Sequence, residues 1–99
     1  MTDIKLPELP EYIVECPEGY KITLNKPISI DSANIQVLTM REPTVQDMLV
    51  AEMQAKGQSE ANQEIAMFAN LCSVAPDNIK GATLKDYRRI QEAFKLFTA

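Results

Sequence analysis

From Tyr20 onward the chain alternates. Tyr20, Ile22 and Leu24 are apolar, and Lys21, Thr23 and Asn25 stand between and after them. A period of two marks a strand with one buried face. Pro27 breaks that strand or keeps it at a sheet edge, because proline lacks the N–H that a central strand needs. Ile28 and Ile30 resume the pattern around Ser29. Asp31-Ser32-Ala33-Asn34 carries turn chemistry. Ile35, Val37, Leu38 and Met40 then make a second strand. The pattern predicts a β-hairpin over residues 20–41. A lone hairpin is marginal in water, so its apolar face needs a cover.

Beyond Pro43 the period becomes helical. Thr44, with Asp47 three residues later, is close to a capping box. Val45, Met48, Leu49, Glu52 and Met53 mark one face of a helix over about 44–56, and Gly57 suits its C-terminal cap. Ser59 opens a second helix over about 59–74. Pro76-Asp77-Asn78 to Gly81 is a connector with room for one helical turn. Thr83 and Asp86 repeat the capping signature. Leu84, Tyr87, Ile90, Phe94 and Phe97 form the apolar stripe of a last helix over about 83–98. Short loops between helices imply roughly antiparallel neighbours. The expected fold is α+β: a hairpin packed with a three-helix C-terminal region, together one small domain over residues 20–99.

Residues 1–19 read differently. Pro7, Pro10 and Pro17 exclude a long helix there, and Asp3, Glu8, Glu11, Glu15 and Glu18 outnumber the single Lys5. This stretch is expected to be a flexible acidic arm. Its apolar members, Ile4, Leu6, Leu9, Tyr12, Ile13 and Val14, give it the means to dock on its own domain or on a partner.

Charge narrows the function. The net charge of −4 resides wholly in that arm, since residues 20–99 hold nine basic and nine acidic side chains. A phosphate-backbone binder needs clustered Lys and Arg. The one basic pair, Arg88–Arg89, has Asp86 and Glu92 close by on the same helix, which reads as a solvated face. Nucleic acid is therefore not the expected partner. No apolar run approaches the roughly 20 residues that span a bilayer, and the acidic, proline-interrupted start lacks the form of a secretory leader. Cys16 and Cys72 stand far apart without metal spacing, and there is no His to complete a site. They read as free thiols of a reducing cytoplasm.

Candidate chemistry is sparse. Without His, Ser–His and Cys–His nucleophiles are out of reach. The three glycines, at 19, 57 and 81, form no phosphate-cradling loop. Glu60 and Glu64 lie one helical turn apart, and Asp86 and Glu92 lie less closely. Paired carboxylates do acid–base work only in a shielded cleft, and solvated charge is the commoner use on small amphipathic helices. The sequence points away from an enzyme and to no cofactor or metal.

Apolar surface is the larger clue. "IAMFANLCSVA", Ile65 to Ala75, has only Asn70 and Ser73 as polar members. Its apolar residues cover nearly the whole helix circumference, the habit of a central core helix. The alternative leaves Met67, Leu71 and Val74 exposed as an interaction surface. At the C-terminus, Phe94 and Phe97 fit the stripe and Leu96 lies off it. Met and Phe are suitable anchors for helix-on-helix recognition.

The order of these features resembles the phage tail assembly chaperone family of Mu-like and related contractile-tailed phages and prophages, the E or 41 type. The resemblance is carried by Leu24 to Ile28 (L–x–x–P–I), by the corner Leu38 to Thr44 (L–T–x–R–x–P–T), by Leu84 to Tyr87 before the last helix, and by the phenylalanine-bearing end. It covers residues 22–97 and leaves out the acidic arm. It departs from the pattern at Asp31 to Asn34, where a glycine is expected. The resemblance implies a non-enzymatic chaperone of virion morphogenesis, acting in the host cytoplasm and absent from the mature virion. Its partners would be the long, helix-rich tape measure protein, which it keeps soluble, the tail tube protein, and a frameshifted longer form of itself. Met67, Leu71, Val74, Phe94, Leu96 and Phe97 are the expected partner-binding residues. Arg41, Pro43, Thr44, Asp86 and Tyr87 form a structural signature, with Arg41 expected to pair with an acid of the fold such as Asp86. The other class the residues allow is a small adaptor or regulatory module of a phage or prophage.

Overall fold

A computed structural model describes residues 9–99; residues 1–8 of the expected arm lie outside them. The elements run β1 (Ile13–Cys16), β2 (Gly19–Ile30), β3 (Ala33–Arg41), α1 (Val45–Gln54), α2 (Glu60–Cys72), α3 (Pro76–Lys80) and α4 (Leu84–Thr98). The strands form one antiparallel sheet in the order β1-β2-β3. The class is α+β, as the periodicities imply.

The hairpin of β2 and β3 turns through Asp31 and Ser32 alone. Both have positive φ, 51° and 66°, and Ile30 pairs with Ala33 across them. Two left-handed residues in a two-residue loop match the right-handed twist of the flanking strands. The twist is thus obtained without the expected glycine, and Ala33 and Asn34 belong to β3.

One face of the sheet is the core. Ile22, Leu24 and Ile28 of β2 and Leu38 and Met40 of β3 are buried on it, with Ile13 of β1. Leu24 and Ile28 are four apart and keep the parity of one face, but Ile35 and Leu38 are three apart, so strict alternation fails in β3. The pairing register shifts at the same place, between Thr23 and Ile28 of β2. Pro27 sits in this irregular segment, where its missing N–H costs no ladder bond.

The arm is not wholly flexible. Ile13–Cys16 pairs with Gly19–Ile22 as the edge strand β1, and Ile13 is buried. Burying that isoleucine offsets the ordering of a short segment. The Tyr12 hydroxyl donates to the Glu92 carboxylate on α4. The Arg89 guanidinium lies 4.2 Å from the centre of the Tyr12 ring and donates to the Thr23 carbonyl at 2.9 Å.

The helices start where their caps predict. The Thr44, Ser59 and Thr83 hydroxyls each accept from the backbone N–H three residues on. α2 ends at Ser73, which takes the left-handed conformation as C-terminal cap. α2 is the central core helix: Ala66, Phe68, Ala69, Leu71 and Cys72 are buried along it. Phe68 meets the rings of Tyr87 and Phe94 at 5.7 and 5.4 Å between centres. Phe97 meets Tyr20 at 4.8 Å, which ties the C-terminal helix to the first residues of β2.

α4 departs from its expected stripe at one end. Leu84 is 66% exposed, and it lines a shallow groove with Ile65, Ile79, Ala82 and Tyr87. The inward residue of the first turn is Asp86, fully buried. Its two carboxylate oxygens accept from the backbone N–H of Asn25 at 2.7 Å and of Lys26 at 3.0 Å. Those amides belong to the irregular segment of β2. The carboxylate replaces the ladder bonds that the irregularity leaves unmade, and this fixes the rotation of α4.

Candidate partner-binding surface

The corner between β3 and α1 is held by three residues, Arg41, Thr44 and Asp47. The Arg41 guanidinium donates to both Asp47 oxygens, each at 2.7 Å. The Thr44 N–H and hydroxyl donate to the same carboxylate at 2.9 and 3.0 Å, and Asp47 N–H donates back to the Thr44 hydroxyl at 3.2 Å. The hydrogen-bonded Arg41 guanidinium, helped by the Thr44 donors, holds the Asp47 carboxyl well below the usual carboxylate range. Arg41 therefore pairs with Asp47, not with the distant Asp86. A bidentate fork suits the planar guanidinium, and the pair belongs to the helix cap. The corner positions α1 and has no spare reactive group.

What the corner positions is an apolar face. Val45 and Met53 are 71% and 78% exposed, and Met48 and Leu49 are exposed beside them. The sequence marks this face without saying what covers it. α1 packs on α2 through other residues, Ala51 and Ala55, which are buried with Ala66 and half-buried Met67. At about 100° of rotation per residue, Ala51 and Ala55 lie roughly a third of a turn from the centre of the large apolar row, with Met48 at the boundary. Small side chains let the two helices approach closely. The Gln54 side chain adds a bond across the pair, accepting from the Asn70 amide at 2.9 Å. The clue available in the sequence was the alanine pair one helical turn apart.

At its N-terminal end this face runs into a groove of about 260 Å³, lined by Pro43, Thr44, Val45, Met48, Met67, Phe94 and Thr98. Two expected anchors, Met67 and Phe94, are thus brought to α1's exposed side chains. The others are distributed differently. Leu71 is 1% exposed and sits in the core, because α2 is wrapped on that side by the sheet and α4. Val74, Leu96 and Phe97 are half-buried against the core.

Two further groups of the sequence reading, Glu64 and Tyr87, are engaged with each other. The Tyr87 hydroxyl donates to the Glu64 carboxylate, which also accepts from the Gln91 amide at 2.8 Å. Burial, then the Glu64 carboxylate, pushes the Tyr87 phenol well above its ordinary range. Burial alone pushes the Cys72 thiol up to about 12. A thiol held neutral in this way is a packing group and not a nucleophile. Among the described residues, no cluster of three His, Cys, Asp or Glu side chains could hold a metal ion, and no helix is long and apolar enough to cross a membrane.

The polar corner thus presents an uncovered apolar helix face. The model of the phage tail assembly chaperone proteins, E, or 41 or 14, matches residues 21–99. The chain belongs to this family. No significant match was found among curated proteins or solved structures. The matched region begins within β2, so β1, which closes one edge of the sheet, lies outside the segment matched to the tail assembly chaperones. Within that segment lie the Arg41–Asp47 corner, the Asp86 clamp and the whole α1 face. A family role in tail assembly implies phage tail proteins as partners and action in the host cell.

Proposed function

We propose that this tail assembly chaperone binds the tape measure protein through the α1 face, keeps it soluble in the host cytoplasm, and helps tail tube subunits assemble around it, without catalysis. The observation that supports this reading is the exposed row Val45, Met48, Leu49 and Met53, continuing into the groove beside Met67 and Phe94. Four large apolar side chains left in water on one helix face are uncommon on a self-sufficient monomer. An amphipathic helix of the partner could lay its apolar side along them, anchored by Met and Phe. Methionine accommodates varied partner side chains because its unbranched chain repacks easily. Each contact would be weak, and many copies along one long target would multiply the effect.

The test is co-expression of the full chain with the tape measure protein of the same phage genome. The wild-type chain should hold that protein in the soluble fraction. The double variant Met48→Asp, Met53→Asp should lose most of this effect while its circular dichroism and melting temperature stay close to wild type. A folded double variant that solubilises the target as well as wild type would overturn the assignment of the surface. Failure of the wild-type chain itself would overturn the choice of partner.

A further inference from the structure

Hydrogen-bond alternation leaves one edge of the sheet open. Thr23 N–H donates to the Tyr12 carbonyl at 2.8 Å, and Glu42 N–H donates to the Glu18 carbonyl at 3.3 Å. In an antiparallel ladder, successive residues exchange bonds with opposite neighbours. Tyr20 is opposite Met40 and Ile22 is opposite Leu38. Those two bonds therefore turn the peptide groups of Leu38 and Met40 towards β2, and those of Val37 and Thr39 outward. Among the described residues no strand lies beyond β3.

The two sides of the sheet are guarded unequally. β1 is four residues long, with Pro10 and Pro17 near its ends. The half of β2 beyond it is irregular and carries Lys26 and Pro27. Short strands, irregular pairing, lysine and proline are the devices that prevent edge-to-edge pairing. β3 carries neither lysine nor proline, and it pairs regularly with β2 from Val37 to Arg41. It runs for nine residues and has neither proline nor charge from Ala33 to Met40. The charge of Arg41, at its end, is already engaged by Asp47.

We propose that β3 is a self-pairing edge: two copies of the chain join by antiparallel β3–β3 pairing across a two-fold axis, making one sheet from the three strands of each copy. The occupant is a second copy because an antiparallel edge is its own complement under two-fold symmetry. Uncharged residues then lie opposite uncharged residues, so no like charges meet. A helical partner cannot take this place, since its own N–H and C=O groups are already bonded internally. Pairing would also set two α1 faces on one particle.

The full-length chain tests this by sedimentation and by amide hydrogen exchange over a concentration series. The expected result is a dimer in which the Val37 and Thr39 amides exchange slowly, with protection that is lost on dilution. Val37→Lys and Thr39→Lys, which put two ammonium groups near the axis and remove no bond within one chain, should each raise the dimer dissociation constant at least tenfold. A chain that stays monomeric at high concentration overturns the proposal. So does a dimer whose Val37 and Thr39 amides exchange as fast as those of exposed residues, because another face would then hold it together.

Discussion

Asp86 is the residue whose loss should reveal most about this fold. It is fully buried and accepts two backbone bonds from the irregular part of β2, at 2.7 and 3.0 Å. The Arg89 guanidinium stands 3.9 Å away. Hydrogen bonds to a charged group contribute about 1.5–3 kcal/mol each. The two would therefore contribute about 3–6 kcal/mol if wholly shielded. Asn25 and Lys26 are themselves exposed, so water can reach their amides once the carboxylate is gone, and the lower end applies. Asp86→Ala should cost about 3 kcal/mol. Asp86→Asn keeps one acceptor but turns an amide donor towards the second N–H, and should cost about 2 kcal/mol. Against a typical domain stability of about 5–15 kcal/mol either loss is large. For a chain of this size, 3 kcal/mol corresponds to a melting temperature lower by roughly 12–24 °C. Urea denaturation followed by circular dichroism measures the loss, and hydrogen exchange at Asn25 and Lys26 locates it. If Asp86→Ala cost less than about 1 kcal/mol, or if those two amides kept their protection, the clamp would not be what holds the irregular strand to α4.

Three further outcomes follow from the geometry. Ser32→Gly should raise stability by about 1 kcal/mol, since a left-handed non-glycine residue is relieved; an unchanged urea midpoint would contradict this. Gly19→Ala should destabilise by several kcal/mol or prevent folding. A Cβ there would lie 2.2 Å from the Met40 carbonyl oxygen and 2.7 Å from the Phe97 ring, and the backbone oxygen cannot move aside cheaply; a melting temperature within a few degrees of wild type would refute it. Arg41→Met should cost about 0.5–1 kcal/mol at neutral pH, the range for a partly exposed pair. The depressed Asp47 carboxyl contributes stability that is fully present above its unfolded value near 3.8 and is lost as pH falls towards its lower folded value. Wild type should therefore lose stability below about pH 4 more steeply than Arg41→Met, as read from melting temperature against pH, and parallel curves would exclude the linkage.

Local signals were legible along the chain because their causes lie within a few residues. Thr44, Ser59 and Thr83 cap helices through bonds that reach three positions ahead, and the alternation of β2 and β3 reports a face that each strand carries by itself. The α+β class and the central place of α2 follow from such patterns. Contacts between distant segments decided the rest. Asp86 reads as an ordinary first-turn acid until β2, 61 residues earlier in the chain, brings Asn25 to it. Ile13–Cys16 looks like an acidic arm until Gly19–Ile22 offers it an edge to pair with. The apolar row on α1 has the periodicity of a buried face, and periodicity records only that a face exists. Which side of the helix is covered was settled by how closely α1 can approach α2, and two alanines approach more closely than Met48 or Met53 could. The sequence by itself determined where helices and strands begin and how much apolar surface they carry. Only the tertiary structure decided which part of that surface stays in water for a partner, because burial depends on the neighbour across the gap as well as on the residue itself.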